Sequence, residues 1–498
     1  MPRQRPAPAA APGTPTDWRL LAAIVAVGAA VRVWLATQNS GMTMDSPLYV
    51  EMAEQLARGG HGLLGPAHHG YPGLIALASA LVPGRELPGR VVSFAAGLLL
   101  IVLVERIARR VLPPRPALAG ATCVALHPLL AVFSGPIMTE TSFLALLYAG
   151  LLAAVAGRGS VAGVLLGLSY TVRPEGLLVA VVAVLASVRR PRFALAMATG
   201  CLVVAAPYVG YLSQETGRFS LTPKSALVRP ALEDSKETEW QVGDVNRPFT
   251  EPDRNLIERF QWAAPSIATH YVPNFVAHGR RVLEAWPAPL LVLSLLGLSI
   301  APRLLFAPFA YLLVLPMLAV APNLRFPQVL VPALAVLAAC GAHWLTTRAP
   351  KPAARWAPAL AITLAAGGMA WEWVGQAGKT ARGFDDGPDY AFRAAGGWLR
   401  LNGEPNALVM DRKPYVPFYA GMRHAHMPDD DYDTVVEYAR ATGVHYLVLE
   451  EHVMRSMRRQ FVPLMSDPEF RSREPRLRMV YAGSGGEYTG VAIFKVVR

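Results

Sequence analysis

Asp45 follows a long apolar run, in Met44-Asp45-Ser46-Pro47-Leu48-Tyr49, and is the carboxylate best placed to do chemistry. Asp and Ser ahead of a Pro at the first helical position also make a common helix start, so capping is the competing role. The two roles are compatible, because a capping carboxylate keeps lone pairs for a substrate proton. Further along, His68-His69-Gly70-Tyr71-Pro72 opens a second segment of the same loop and Arg90 follows it. Thr139-Glu140, Arg173-Pro174-Glu175 and Pro322-Asn323-Leu324-Arg325-Phe326-Pro327 each stand at an edge or break of an apolar stretch. Ionisable side chains at such positions are costly, and they tend to be paired or functional. Taken singly, Arg90 and Arg325 are explained by snorkelling, and Arg173 by an ion pair with Glu175 or Glu140. Several arginines facing one carboxylate would do more. Guanidinium groups would hold a leaving phosphate while the carboxylate activates the attacking group.

The elements that must position these residues are membrane helices. The chain has 498 residues, 53% hydrophobic and 16% charged, where a soluble protein carries about a quarter charged residues. Charge is missing from long stretches, whereas 213–285 and 375–498 have the composition of soluble protein. A span needs about twenty apolar residues. Candidates are 18–37, 88–107, 116–134, 139–156, 160–172, 174–188, 193–212, 287–301, 303–320, 327–346 and 354–374. The fifth and sixth are short and suit half-helices meeting at Arg173-Pro174. The net charge of +12 comes from arginines clustered in short loops, which signals topology and anionic-lipid contact and argues against a nucleic-acid groove. With Arg106, Arg109, Arg110, Arg115, Arg189, Arg190, Arg192, Arg348, Lys351 and Arg355 inside, the amino terminus is cytoplasmic. All the candidate chemistry then falls on the outer side.

The expected fold is thus an α-helical polytopic membrane protein of about eleven spans with a small C-terminal α/β soluble domain. Residues 1–17 form a disordered cytoplasmic tail, 18–374 the membrane domain and 375–498 the extracytoplasmic domain. The first outer loop, 38–87, carries two interfacial helices: 47–58 is amphipathic, and a second segment runs from His68 to Leu81. A larger outer loop spans 213–286. In the tail, Asn406–Met410 and Val444–Leu449 read as buried strands, and 389–401, 432–442 and 451–462 as helices. Cys123, Cys201 and Cys340 all lie in apolar runs, which excludes a disulfide framework. His61, His68 and His69 share a loop at a spacing that matches no recognised ligand pattern, so they are loop or substrate-contact residues. No metal ligand set or cofactor is assigned, and a divalent cation stays open.

Asp45-Ser46-x-x-Tyr49, then His69-Gly70-Tyr71-Pro72-Gly73-Leu74, then Arg90, resembles the C-type superfamily of integral membrane glycosyltransferases. The nearest branch is that of protein O-mannosyltransferases and lipid A aminoarabinose transferases. Thr139-Glu140, the stretch from Leu168 to Gly176 and the stretch from Leu324 to Pro332 fit the same pattern, so the likeness covers about 18–345. The resemblance implies inverting transfer from a polyprenyl-phosphate sugar to a glycan, lipid or protein acceptor. It assigns Asp45 as the base, Arg325 as the donor-phosphate contact, and Arg90 and Arg173 as further candidates for that contact. His69, Tyr71, Glu140 and Tyr49 are candidate donor or acceptor contacts. A Lys phosphate contact found in some relatives is missing, with His69 in that region. Two other classes compete: a polysaccharide polymerase or ligase using lipid diphosphates, and a transporter or flippase of lipid-linked sugar. The latter needs a mid-membrane path and often shows internal repeats, whereas here the charges gather at one face and no repeat is evident.

Overall fold

The computed structural model describes residues 17–38, 42–43, 45–60, 67–216, 219–222, 256–318, 325–348, 389–428, 430–483 and 490–497, with parts of 360–373. Most of this is helix. Among the described residues, four helices are long and apolar enough to cross a membrane: α1 (Trp18–Gln38), α4 (Leu87–Ala108), α10 (Pro191–Thr216) and the segment Pro327–Arg348. Shorter apolar helices accompany them: α7 (Thr139–Val155), α8 (Gly159–Val172), α9 (Glu175–Ala186) and Arg303–Pro316. The amphipathic segments of the first loop form α2 (Ser46–Ala57) and α3 (Gly70–Ser79). The loop residue His61 and most of 354–374 lie outside the described residues.

Several apolar runs are more broken than their hydropathy suggests. The run 116–134 divides into α5 (Pro114–Leu126) and α6 (Pro128–Val132), with His127 extended between them. Pro128 has no N–H to offer the Val124 carbonyl, and it pushes the residue before it out of helical geometry. Arg32 of α1 takes over the freed carbonyls, donating to Ala125 at 2.9 Å and Val124 at 3.3 Å, and to Ser134 Oγ at 3.1 Å. Its side chain is wholly buried. The run 287–301 is helical only over Ala288–Leu296, and 303–320 begins as a 3-10 helix, Arg303–Ala310, before Tyr311–Leu318. The long segment 213–286 holds a 30-residue helix, Leu256–Ala285, amphipathic along its length.

Glycines set the closest helix approaches. Gly159, Gly163 and Gly167 stand four apart on α8 and face α10. A Cβ on Gly163 would overlap the Met197 carbonyl, and one on Gly167 would lie 3.0 Å from that of Cys201. Without a hydrophobic driving force between helices in lipid, such small-residue stripes let backbones pack directly. Gly297 and Gly341 do the same for Ala288–Leu296 against Val331–Arg348. Gly70 is a third case: a Cβ there would press into Thr171, so this glycine lets the start of α3 seat on the end of α8.

After the membrane helices, Asp389–Asn402 leads into a five-stranded sheet of order β2-β1-β3-β5-β4. β1 (Leu408–Asp411) pairs in parallel with β2 (Arg423–His426) and β3 (Tyr446–Glu450). β5 (Val491–Val496) runs antiparallel to β3 and to β4 (Leu477–Gly483). Helices Tyr415–Ala420 and Tyr432–Ala441 make the crossovers that parallel pairing demands. This unit grips the first loop. Arg393 forms a two-pronged pair with Glu86 at 2.9 and 2.8 Å. Arg85 holds Glu54 of α2 at 2.5 and 3.1 Å while donating to the Phe418 carbonyl at 3.0 Å.

Candidate active site

Asp45 occupies the cap position of α2, but its carboxylate does not cap. Ser46 supplies the local bonding instead: its Oγ accepts from the Thr43 N–H at 2.9 Å and donates to the Ile137 carbonyl at 3.0 Å. The competing capping role is therefore not realised, and the Asp45 carboxylate faces Arg325, 3.3 Å away.

The segment that Ser46 holds leads into Glu140. Ser93 of α4 donates to the Met138 carbonyl at 3.3 Å, and Thr141 donates to the Ser93 carbonyl at 3.0 Å. The single hydroxyl proton of Tyr71, on α3, is shared between Ser93 Oγ, 2.7 Å away, and the Gly89 carbonyl, 3.1 Å away. Three helices thus fix the backbone on both sides of Glu140, which opens α7 with no side-chain exposure. A carboxylate that deep survives only with strong partners. It has two arginines. Arg173 Nη1 meets Glu140 Oε1 at 2.8 Å; Arg325 Nε and Nη2 meet the same oxygen at 2.9 and 2.8 Å.

Arg173 reaches Glu140 because the chain is extended at this residue, between α8 and Pro174. The break aims the side chain back at the start of α7. Its other edge binds Glu175, at 3.0 and 3.4 Å, and Tyr311 donates to Glu175 at 3.2 Å. Both ion pairs proposed for Arg173 are present together. One connected cluster results, running Asp45, Arg325, Glu140, Arg173, Glu175, Tyr311. Its inner members are buried, whereas the Arg325 and Asp45 side chains are 29% and 32% exposed. Burial would lower the pKa of Arg325, but Glu140 and Asp45 outweigh it and raise it further. Arg325 is a fixed positive charge at the mouth of the cluster.

Tyr49 lies one turn after Asp45, buried and edge-on to Tyr71 with ring centroids 5.3 Å apart. Burial, with Asp45 and Glu140 nearby, raises the Tyr49 hydroxyl far above its ordinary value, so it stays protonated. Arg90 and His69 have different surroundings. Arg90 pairs with Glu86 one turn back, at 3.2 Å, where Arg393 also docks. His69 sits in an aromatic group on α10, with Nδ1 3.1 Å from the Tyr208 hydroxyl and Nε2 3.4 Å from that of Tyr211. His68 bonds Thr222 at 3.0 Å and packs edge-on against Tyr170. Among the described residues, no group of three His, Cys, Asp or Glu side chains is arranged to hold a metal ion.

Sequence reasoning passed over Tyr311, which sits in an apolar run and reads there as core, and over Ser93 and Thr141, which carry no motif; Ser46 was read only within the helix start and the Asp45-Ser46-x-x-Tyr49 pattern. Glu175 was visible as a partner for Arg173 but not as the link to Tyr311.

Residues 70–211 match the family model for dolichyl-phosphate-mannose-protein mannosyltransferase, a stretch that includes Tyr71, Arg90, Glu140 and Arg173. In structure the chain is similar to ArnT from Cupriavidus metallidurans, both in the apo state and bound to undecaprenyl phosphate. The TM-score is 0.57 at 13% identity, over 96% of this chain and 98% of that one. It is also similar to the oligosaccharyltransferase AglB from Archaeoglobus fulgidus in complex with an inhibitory peptide and a dolichol-phosphate. Here the TM-score is 0.51 at 13% identity, over 96% of this chain and 74% of that one. None of the curated proteins matches the chain by sequence.

Proposed function

We propose, for a chain that has the fold of the C-type membrane glycosyltransferases, transfer of a sugar from a polyprenyl-phosphate donor to a glycan, lipid or protein acceptor. The reaction takes place at the outer face of the cytoplasmic membrane, with the amino terminus cytoplasmic and the sheet-bearing domain outside. The reading rests above all on one observation: Arg325 joins the half-exposed Asp45 to the buried Glu140–Arg173 pair. That arrangement, a carboxylate beside a cationic edge, supports a base next to a phosphate-binding group. The fold likeness to ArnT and AglB, whose structures hold undecaprenyl phosphate and dolichol-phosphate, supports a lipid phosphate as the donor's carrier.

The residues divide the work as follows. Arg325, backed by Arg173, holds the donor's phosphate. The acceptor's nucleophilic atom attacks the anomeric carbon from the side opposite the phosphate, and Asp45 takes its proton. The bond from the anomeric carbon to the phosphate oxygen breaks, and polyprenyl phosphate departs with its negative charge stabilised by the guanidiniums. Attack from the far side inverts the anomeric centre. Tyr49, buried one turn after Asp45 and edge-on to Tyr71, backs the base from within α2 and α3.

The test is Asp45→Asn, assayed with a defined polyprenyl-phosphate sugar. Transfer should fall by roughly 10²–10⁴, the usual contribution of a general base, while the protein stays folded. Full activity in that variant removes the base assignment. Lipid-diphosphate donors should be inert in the same assay, and turnover with them would favour a polymerase or ligase.

A further inference from the structure

The two carboxylates on Arg325 are not equivalent. Glu140 has no exposure, is fixed by the start of α7, and holds both Nε and Nη2 at 2.8–2.9 Å. Asp45 touches Nη2 alone, at 3.3 Å, with its side chain 32% exposed. Its carboxylate makes no capping bond to its own helix. Among the described residues, the Asp45 carboxylate accepts one hydrogen bond, and it comes from Arg325.

That contact uses up two groups at once. A carboxylate held on a guanidinium is poorly placed to take a proton from an acceptor, and the guanidinium edge it covers is closed to a phosphate. A lipid phosphate is a better partner for this edge than a lone carboxylate oxygen, since arginine and phosphate form two parallel charge-assisted bonds. The exposed, longer contact yields first, and the buried one persists.

We infer that Glu140 is a positioning residue that keeps Arg325 in place while the donor's phosphate displaces the Asp45 carboxylate from Nη2, so that donor binding releases the base. This rests on the glycosyl-transfer reading above and adds an order to it. The donor binds first, and the acceptor meets an active base only afterwards. Without donor, Asp45 stays on Arg325.

Binding of undecaprenyl phosphate, free of sugar, to the purified full-length protein in detergent gives the decisive measurement. Asp45→Asn removes the competing charge and should bind this lipid about two- to fivefold more tightly than the wild type, the range an exposed ion pair supplies. Asp45→Glu keeps the charge and should bind no more tightly than the wild type. In a Glu140→Gln background the gain from Asp45→Asn should vanish, and Glu140→Asp should recover part of it. Unchanged or weaker binding by Asp45→Asn overturns the inference, as does an equal gain in Asp45→Glu. Should Asp45→Asn fail to fold, wild-type kinetics decide: an inert acceptor analogue must inhibit uncompetitively against donor, and any other pattern overturns donor-first order. Two results would instead fail the functional reading itself: no undecaprenyl phosphate binding by the wild type, or wild-type transfer by Asp45→Asn.

Discussion

Glu140→Gln keeps the shape of the side chain at the centre of the cluster and removes its charge. Glu140 Oε1 accepts N–H groups from Arg173 Nη1 and Arg325 Nε at 2.8 and 2.9 Å, and it makes a third charged contact, an ion pair with Arg325 Nη2 at 2.8 Å. A hydrogen bond to a charged group contributes about 1.5–3 kcal/mol and a neutral one about 0.5–1.5, so each bond weakens by about 1 kcal/mol. Three such contacts give about 3 kcal/mol, at the lower end of the range for breaking a buried ion pair. Two of the three fall on Arg325, so about 2 kcal/mol of the loss bears on the edge that meets the donor. At 1.4 kcal/mol per tenfold, donor affinity should drop roughly thirtyfold. The assay pairs steady-state kinetics in donor concentration with thermal melting in detergent. A raised donor KM together with a lowered melting temperature is the expected result. A melting temperature and donor KM both equal to those of the wild type would mean that Glu140 neither anchors Arg325 nor stabilises the cluster.

Burial raises the Glu51 carboxyl on α2 to about 7, against the pull of Arg85 and with the push of Glu54. Its protonated form is favoured in the fold, so this stabilisation is complete below the unfolded value near 4.5 and is lost as the pH rises through about 7. The loss is up to about 3 kcal/mol. Glu51→Gln should therefore melt higher than the wild type at pH 8 and equal to it at pH 4; an identical pH dependence in both proteins would rule this out. Gly163→Leu should abolish folding, because its side chain would enter the α10 backbone at Met197, whereas Gly210→Leu, with open space around it, should purify normally. Size-exclusion profiles of the two variants check this, and a monodisperse Gly163→Leu would show the interface to be softer than its geometry. Arg32→Leu leaves the Val124 and Ala125 carbonyls without their donor, at about 1–3 kcal/mol each. Melting should fall by an amount that Arg32→Lys partly restores, and no change on Arg32→Leu would refute the capping role.

How much of this could be read from the sequence depends on where each residue's partner lies. Asp45, Glu140, Arg173 and Arg325 stand out because charge at the edge of an apolar run is rare and needs a reason. Their convergence across 280 residues is a topological fact, and the side assignment of loops anticipated it. Arg90 stands out by the same rule, yet its ion pair is with Glu86, a partner four residues back that helical spacing alone could have named. That Ser46 ties this loop to the start of α7 was not legible, because its bond to the Ile137 carbonyl spans 91 residues. Pro128 was visible inside the run 116–134, but its consequence depends on Arg32 being at hand to accept the broken end. The four-residue glycine spacing on α8 was also in plain view. It signals close packing but does not say that α10 is the partner.

Charge balance within the cluster points to the same member from another direction. Two guanidiniums, of Arg173 and Arg325, meet three carboxylates, of Asp45, Glu140 and Glu175. An anionic donor would enter a site that is already net negative unless one carboxylate leaves. Glu140 and Glu175 are 0% and 10% exposed, and moving either would strand a buried arginine. Tyr311 further ties Glu175 in place. Asp45 alone has both the exposure and the single long contact that let it move at little cost. Its departure from Arg325 leaves, among the described residues of the cluster, two arginines with two buried carboxylates, a neutral and rigid frame. A frame of that kind is already desolvated and oriented before the phosphate arrives, so the charge that develops on the leaving group meets donors that need no rearrangement. The buried half of the cluster therefore serves to hold the arginines, and the reaction belongs to the exposed half.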